Sequence, residues 1–208
     1  MSVMPPKLGK VTFESEGTEK GVYHSRILHV PSPTSGLTIG RGYDMKNRSS
    51  FEINRDLLSS GIKQQDALLL SKASGLFGKS AKLFITSKNL KQFEITTTQQ
   101  LKLFDISYKE QESETERLCS KADVTSKYGQ CNWKGLDSTI KEILIDLKFR
   151  GDYTGTTRLF LQKYVVANDS KGFLKALSDR SNWRLQRVPN DRFQRRIDYF
   201  KANAVLTP

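Results

Sequence analysis

The chain has 208 residues, enough for one large domain or for two small lobes that share a core. Its 34 Lys and Arg outnumber 22 Asp and Glu, and the resulting net charge of +12 favours an anionic partner such as nucleic acid, acidic lipid or cell-wall polymer. No apolar run approaches the roughly 20 residues of a transmembrane helix, so no such helix is predicted and we expect no membrane insertion.

The N-terminal residues and the two cysteines give information on the cellular compartment of the protein. The first ten residues, MSVMPPKLGK, lack the apolar segment of a signal peptide. We therefore expect synthesis in the cytoplasm and export only through another machine or a fused upstream domain. Cys119 and Cys131 are twelve positions apart and fit either one disulfide or two free thiols. There is no CxxC motif, and both histidines are far from the cysteines in sequence, so we expect no metal site.

Residues 11–45 have the composition of extended and loop structure. The segment GVYHSRILHV, at 21–30, is rich in β-branched and aromatic residues. A turn cluster, PSPTSG at 31–36, separates it from a second short extended run, LTIGRGY at 37–43. This order predicts a hairpin or a three-stranded meander.

From residue 49 onward the pattern is helical. Ser49 or Ser50 is a candidate N-cap for a helix that stops at Gly61. Thr97 and Gln100 fit a capping box at the start of a later helix.

The clearest amphipathic helix is STIKEILIDLKFRG, at 138–151. Its apolar positions follow the i, i+3, i+4, i+7 rule, with Ile140, Ile143, Leu144 and Leu147 on one face. Further helices are predicted at 157–166, 172–179 and 191–202. The fold class is therefore α+β in a single domain, with a small N-terminal β lobe over about 11–48 and a larger helical lobe over about 49–205. A cleft between two such lobes is where a ligand site is expected.

Two short segments carry candidate catalytic groups. FESEG, at 13–17, supplies Glu14 and Glu16, and TIGRGYD, at 38–44, supplies Thr38 and Asp44. A dinucleotide-binding loop needs three glycines in a GxGxxG pattern, and GRGYDM has only two. Glycoside hydrolysis needs one carboxylic acid to protonate the leaving oxygen and a second group on the opposite face of the sugar. The two segments together match that requirement.

These segments resemble the phage-type lysozymes, whose N-terminal helix ends in an acid-glycine pair and whose β lobe carries a Thr-Ile-Gly-x-Gly run. Glu16-Gly17 and residues 38–42 match those elements. SNWRLQRVPNDRFQRRIDYF, at 181–200, is similar to the Trp…Pro-Asn-Arg…Arg signature of the same enzymes. The resemblance covers both ends of the chain, and the middle, about 60–130, carries no matching motif.

The chain departs from the phage-type pattern at one position, and this departure favours a particular branch of those enzymes. Phage-type lysozymes usually place an aspartate about nine residues after the catalytic glutamate, and the ninth residue after Glu16 is Ser25. Asp44, six residues after Thr38, is the natural substitute. This arrangement is similar to the pesticin-like branch, which includes a bacteriocin lysozyme domain and lysozyme domains of type VI secretion proteins.

The resemblance implies a lysozyme-like fold and a role for each matched residue, without metal or cofactor. Glu16 would be the general acid, Asp44 the general base or the group that stabilises positive charge at the anomeric carbon, and Thr38 would position the attacking water. An inverting mechanism would separate the two carboxyl groups by roughly 6.5–9.5 Å. The remaining candidates would line the substrate site, and they are Gly40, Arg41, Gly42 and Tyr43.

The implied activity is that of an N-acetylmuramidase, which cleaves the β-1,4 bond between N-acetylmuramic acid and N-acetylglucosamine in peptidoglycan strands. We expect a monomeric antibacterial toxin or effector that acts in the periplasm or cell wall of target bacteria. An immunity protein that blocks the cleft is the implied protein partner, and no nucleic acid partner is expected. The alternatives are an inactive peptidoglycan-binding module, a basic nucleic-acid-binding protein, or a lytic transglycosylase.

Three assignments stay open on the residues alone. Glu14 replaces Glu16 as the acid if the segment is a strand, because both side chains then point to one face. The arginines of the last helix fit either a nucleic-acid surface or a structural face. Trp183 fits either the core or a sugar platform.

Overall fold

The computed structural model describes residues 5–21 and 24–204. In this part of the chain the fold is α+β, as predicted, and it is mostly helical with one small antiparallel sheet. Strand β1 is Thr38–Ile39 and strand β2 is Tyr43–Asp44. The helices are α1 (Lys10–Ser15), α2 (Ser50–Ser59), α3 (Gln64–Ser71), α4 (Gly78–Ser87), α5 (Thr97–Cys119), α6 (Ala122–Tyr128), α7 (Ser138–Arg150), α8 (Gly155–Val166), α9 (Ser170–Ser178) and α10 (Asn190–Asn203). None of these helices is long and apolar enough to cross a membrane.

The chain divides into two compact units, Met1–Ser107 and Tyr108–Pro208. The first contains the sheet together with α1 to α4, and α5 contributes residues to both. The boundary predicted near residue 48 therefore lies within the first unit, where the sheet shares a core with α2 and α3. That the whole chain is one lysozyme-like domain stays a prediction.

Helix α1 corrects the prediction of extended structure at the start of 11–45. The segment is helical, and it buries Val11, Thr12 and Phe13. The Phe13 ring packs edge-on against Phe104, with 5.0 Å between ring centroids. Burial against this partner overrides the weak β preference of the local residues. In the predicted run at 21–30, residues 22 and 23 lie outside the described part of the chain.

Local signals located two helices correctly. Ser49 caps α2, because its hydroxyl accepts a hydrogen bond from the amide of Glu52 and the Glu52 carboxylate accepts one from the Ser49 amide. Helix α7 follows the predicted span, and Asp137 caps it by accepting from the amides of Thr139 and Ile140. The four predicted apolar side chains of α7 are fully buried, and they are Ile140, Ile143, Leu144 and Leu147.

The capping box predicted for α5 is wrong by one residue. Thr96 is the cap, since its hydroxyl accepts from the Gln99 amide at 3.2 Å and the Gln99 side chain accepts from the Thr96 amide at 2.8 Å. Three threonines at 96–98 are followed by two glutamines at 99–100, so the two registers of the capping box look alike in sequence. The shift frees Gln100, which is fully buried, for contacts elsewhere in the first unit.

The core of the second unit settles the two readings of Trp183. The indole is buried, and its Nε1 donates to the carbonyl of Leu177 at 2.9 Å. Phe160 packs edge-on against it, with 5.1 Å between ring centroids. Trp183 is therefore a core residue, and the reading as a sugar platform is wrong.

The arginines of α10 form a buried ion-pair cluster in the same unit. Arg196, only 1% exposed, donates to Asp146 at 2.6 Å and to Asp152 at 2.9 Å. Arg192 donates to the other oxygen of Asp146 at 2.7 Å. Buried guanidinium groups committed to carboxylates are unable to contact phosphates, so the structural reading holds for these two arginines.

Candidate functional site

A tight hairpin holds three of the predicted site residues. Strands β1 and β2 pair with Thr38 opposite Asp44 and Ile39 opposite Tyr43. The turn between them uses Gly40 at φ 64° and Gly42 at φ 87°, a left-handed conformation that glycine adopts without strain. Directly paired residues project to the same face of a sheet, with Cβ atoms about 4.5–5.5 Å apart. The hairpin therefore brings Thr38 and Asp44 together, as the candidate site requires.

Backbone amides hold the Asp44 carboxylate. Its Oδ2 accepts from the Gly36 amide at 3.0 Å, and its Oδ1 accepts from the Lys46 amide at 2.8 Å. The side chain is half-buried. Each carboxylate oxygen has two lone pairs, so one on each remains for a water molecule or a substrate group. The two backbone amides therefore hold the Asp44 carboxylate in a fixed position.

Thr38 is anchored at the same point. Its hydroxyl donates to the Gly36 carbonyl at 3.2 Å, and its backbone exchanges two hydrogen bonds with His29 at 2.9 and 3.0 Å. The side chain is buried. Gly36 thus contacts both candidate groups, through its carbonyl to Thr38 and through its amide to Asp44.

Gly36→Ala should displace the Asp44 carboxylate. A Cβ at this position would lie 2.2 Å from Asp44 Oδ1 and 2.7 Å from the Lys46 amide nitrogen. Because backbone atoms are among the atoms it meets, we expect a loss of about 1–3 kcal/mol in the free energy of unfolding. Chemical denaturation measures it.

Gly155→Ala is the matched control, since the nearest atom to its added Cβ is Arg158 Nη2 at 4.0 Å. At the start of α8 this change should be neutral or slightly stabilising. Equal stability of the Gly36→Ala protein and wild type would show that the close approach of Gly36 to Asp44 is unimportant.

Helix α1 separates the two candidate acids. Glu16 follows the last residue of α1, and its amide donates to the Phe13 carbonyl at 3.4 Å. Its side chain is half-buried. Glu14 lies on the exposed face of α1, with its carboxylate 3.9 Å from Lys10. Because the segment is helical, the two side chains diverge, and the condition that would favour Glu14 is not met.

Arg41, at the tip of the hairpin, ties the turn to the end of α1. Its Nη1 donates to the carbonyls of Phe13 and Gly17, each at 2.5 Å. These carbonyls lie on either side of Glu16 in sequence. The guanidinium carbon also lies 4.0 Å from the centre of the Phe13 ring. Arg41 therefore fixes the Glu16 segment beside the hairpin that carries Thr38 and Asp44.

This position changes how Arg41 is interpreted. The side chain is 5% exposed, and its guanidinium donates to the carbonyls of Phe13 and Gly17 and to the Glu19 carboxylate. The structure thus gives Arg41 a positioning role, which the sequence motif did not reveal. A direct contact with substrate stays a prediction.

Glu19 is the carboxylate that completes this network, and sequence reasoning missed it. Its Oε1 accepts from Arg41 at 2.9 Å and from the Gln100 amide group at 2.7 Å, and its Oε2 accepts from Arg26 at 2.9 Å. Burial acts to raise the pKa of Glu19, but the hydrogen bonds from Arg41, Gln100 and Arg26 outweigh it and hold the pKa below its ordinary value. Glu19 is therefore an ionised anchor for Arg41. The sequence did offer one signal for Glu19, because it is the one acidic residue in 17–43.

Ser25 occupies the place where the resemblance leads one to expect an aspartate. The side chain is buried, and its hydroxyl lies 2.7 Å from Gln100 Oε1 and 3.0 Å from the Thr18 carbonyl. It is thus the end of the chain of contacts that runs through Gln100 to Glu19. No carboxylate is available at this position, so Asp44 is the candidate second carboxylate.

Tyr43 packs in the core of the first unit. Its hydroxyl donates to Asp56 at 2.9 Å, and the Arg48 guanidinium carbon lies 4.3 Å from the ring centre. The side chain is 1% exposed. These contacts hold β2 against the core of the first unit, so Tyr43 has a packing role. Substrate contact by Tyr43, Gly40 or Gly42 stays a prediction.

A polar cleft of about 530 Å³ lies elsewhere, within the second unit. Its walls come from residues 150–156 and 185–186, and none of the predicted catalytic residues lines it. Across residues 5–21 and 24–204, no three or more His, Cys, Asp or Glu side chains are grouped to hold a metal ion. The hairpin and the end of α1 therefore remain the candidate site.

Comparison with known proteins gives a family. No curated protein matches the sequence. A family model does match, over residues 9–197, and its description is a domain of unknown function, DUF8812. That span includes every candidate residue described above, and the chain belongs to this family.

Proposed function

We propose that the chain is a peptidoglycan hydrolase with a lysozyme-like fold, and that it acts as an N-acetylmuramidase of the pesticin-like type. The observation that carries this proposal is the Arg41 contact. By donating to the carbonyls of Phe13 and Gly17, Arg41 holds Glu16 beside a hairpin on which Thr38 and Asp44 are paired. The segment that carries the acid is thereby linked to the hairpin that carries the hydroxyl and the second carboxylate.

The surroundings of each group support a distinct role. Glu16 is the proton donor to the leaving oxygen, and its half-buried side chain follows directly on α1. Asp44, held by two backbone amides, stabilises positive charge at the anomeric carbon and orients water through its remaining lone pairs. Thr38 supplies the hydroxyl that positions that water.

The charge of the chain supports the substrate class. Peptidoglycan and its associated wall polymers are anionic, and a net charge of +12 attracts the protein to them. We include in the proposal a role as an antibacterial toxin or effector that reaches the wall by export. An immunity protein that blocks the site is the expected protein partner.

Nucleic acid is the less favoured substrate. Arg192, Arg195 and Arg196 raised this reading. Of these three, Arg192 and Arg196 are buried in ion pairs with Asp146. They are therefore unable to release counterions from a phosphate backbone. A wall-binding module without activity would bind peptidoglycan but would not cleave it, so digestion of peptidoglycan distinguishes it from the proposed enzyme.

Digestion of purified peptidoglycan tests the proposal. We expect the wild-type protein to release muropeptides with reducing N-acetylmuramic acid ends, identified by mass spectrometry after borohydride reduction. Reducing N-acetylglucosamine ends would place the cut at the other bond, and 1,6-anhydro ends would identify a transglycosylase. Binding to peptidoglycan without any release would replace the enzyme with a binding module.

A further inference from the structure

The segment that contains α4 carries a concentrated positive charge. From residue 67 to residue 93 the chain has five lysines and no aspartate, glutamate or arginine. All five lysines are exposed, and they are Lys72, Lys79, Lys82, Lys88 and Lys91. Glu94, the acidic residue that ends this stretch, is paired with Arg26 at 2.7 Å. The charge of the lysines is therefore not offset by any acid within the segment.

Two large apolar side chains are exposed among these lysines. Leu83 lies on α4 and is 58% exposed, and Phe77, directly before α4, is 51% exposed. Lys79 lies one helical turn before Leu83 on the same face, and Lys82 adjoins it. Lys46 Nζ lies 4.9 Å from the centre of the Phe77 ring and adds a further cation. Phe77, Lys79, Lys82 and Leu83 are called the α4 face below.

The opposite side of α4 is fixed in the core of the first unit. Ala81 and Phe84 are buried there, in one cluster with Leu70. The Gly78 amide donates to the Ser35 carbonyl at 2.9 Å and fixes the start of the helix. The fold therefore presents the α4 face outward on a packed helix, and apolar surface on that face stays in contact with water. Covering this surface would be favourable.

We propose that the α4 face binds the surface of a lipid bilayer that is rich in anionic lipids. The negative potential of such a surface attracts lysines, and each lysine near it strengthens binding by about fivefold. Phe77 and Leu83 reach the boundary between the headgroups and the acyl chains, where their apolar surface is removed from water. The protein then lies on the membrane and does not cross it.

The kind of cation favours a bilayer over an acidic protein as the partner. Every cation of residues 67–93 is a lysine. Protein interfaces are enriched in arginine and depleted in lysine, and the planar guanidinium matches carboxylates in fixed positions. Lipid headgroups move in the plane of the membrane, and the point charge of an ammonium group suits their phosphates.

The exposed apolar side chains favour a bilayer over a purely polyanionic ligand such as nucleic acid. A phosphate backbone would engage the lysines of the α4 face and leave Leu83 and Phe77 in water. A bilayer engages both kinds of side chain at once, because its anionic headgroups lie directly above an apolar layer. This inference does not depend on the proposed enzymatic activity.

Cosedimentation with lipid vesicles tests the proposal. One set of vesicles is phosphatidylcholine alone, and the other contains about 30% phosphatidylglycerol. We expect wild type to bind the anionic vesicles about 100-fold more tightly than the neutral ones, since several lysines each contribute about fivefold. Added salt should weaken this binding by screening the lysines. Equal binding to both sets, or no binding to the anionic set, would overturn the proposal.

A charge reversal locates the binding surface. Lys79→Glu combined with Lys82→Glu should weaken binding to the anionic vesicles by about 25-fold or more, because two favourable charges are removed. Lys171→Glu combined with Lys175→Glu is the matched control, since it makes the same change in net charge at exposed positions of α9. The control should stay within about threefold of wild type. Equal losses would mean that net charge alone drives binding, which contradicts a specific face.

An apolar substitution separates a bilayer from other polyanions. Leu83→Ser should weaken binding to the anionic vesicles by about 5–10-fold, because it removes apolar surface that the membrane would cover. Leu159→Ser on α8 is the matched control, since Leu159 is 59% exposed, and it should bind within about twofold of wild type.

Wild-type affinity in the Leu83→Ser variant, or an equal loss in Leu159→Ser, would reject the bilayer as the partner of the α4 face. The substituted residues are exposed, and circular dichroism checks that each variant is folded. None of these measurements involves peptidoglycan, so their failure is distinguishable from a failure of the proposed function.

Discussion

Asp146→Asn should lower the free energy of unfolding of the second unit by about 3–5 kcal/mol. Asp146 is fully buried, and its two oxygens accept from Arg192 at 2.7 Å and from Arg196 at 2.6 Å. The substitution keeps the size of the side chain and removes the negative charge. Two buried guanidinium groups then face a neutral amide, and although Arg196 keeps its bond to Asp152, the cost of keeping their charges out of water is less well compensated.

Tryptophan fluorescence during denaturation measures this loss. The chain has two tryptophans, Trp133 and Trp183, and both are buried in the second unit, so the signal reports on that unit. Asp123→Asn is the matched control, since Asp123 is exposed on α6 with Lys121 at 3.7 Å. It should cost less than about 1 kcal/mol. Similar losses in the two variants would contradict the assigned importance of the buried cluster.

The same residue predicts a dependence of stability on pH. Burial alone would raise the pKa of Asp146, but the charges of Arg196 and Arg192 outweigh it and hold the pKa below the ordinary value of 3.8. A carboxyl whose folded pKa is depressed contributes its stability above the unfolded pKa and loses it as pH falls through the folded pKa. Wild type should therefore lose stability below about pH 4, and Asp146→Asn should lose less over the same range.

Local signals predicted those parts of the fold that local physics determines. The apolar period of α7 and the Ser49 cap of α2 depend on neighbours within one or two turns, and both are correct. Helix α1 was misread because six residues with Val, Thr and Phe carry too little pattern, and Phe104 supplies the decisive contact from far along the chain. The Gln100 contact with Glu19 was likewise invisible, since those residues are 81 positions apart.

The candidate site was predictable in its components and not in its connections. The TIGRGYD motif identified Thr38 and Asp44 as candidate residues, but the extended run predicted at 37–43 is wrong, because a three-residue turn divides it into two strands and pairs these residues. The role of Arg41 as a link to α1 depends on the fold, and within the motif it looks like any exposed turn residue. A buried arginine at a hairpin tip needs acceptors for its donors, and the last carbonyls of a short helix supply them because no further helical turn follows.

Glu16→Gln should lower kcat/KM on peptidoglycan by about 10²–10⁴-fold, which is the usual contribution of a general acid. The substitution preserves the size of the side chain and removes the transferable proton, and at this half-buried position stability should stay within about 1 kcal/mol of wild type. Release of muropeptides with reducing ends, followed over time, measures the rate. Unfolding of the same protein preparation separates lost chemistry from lost structure.

Glu14→Gln is the matched control, because it makes the same chemical change two residues earlier on the exposed face of α1. Glu14 contacts Lys10 at 3.9 Å on this face, and the helix directs its side chain away from that of Glu16. We therefore expect activity within about twofold of wild type, since an exposed ion pair of this kind contributes little. An inactive Glu14→Gln together with an active Glu16→Gln would move the acid to Glu14.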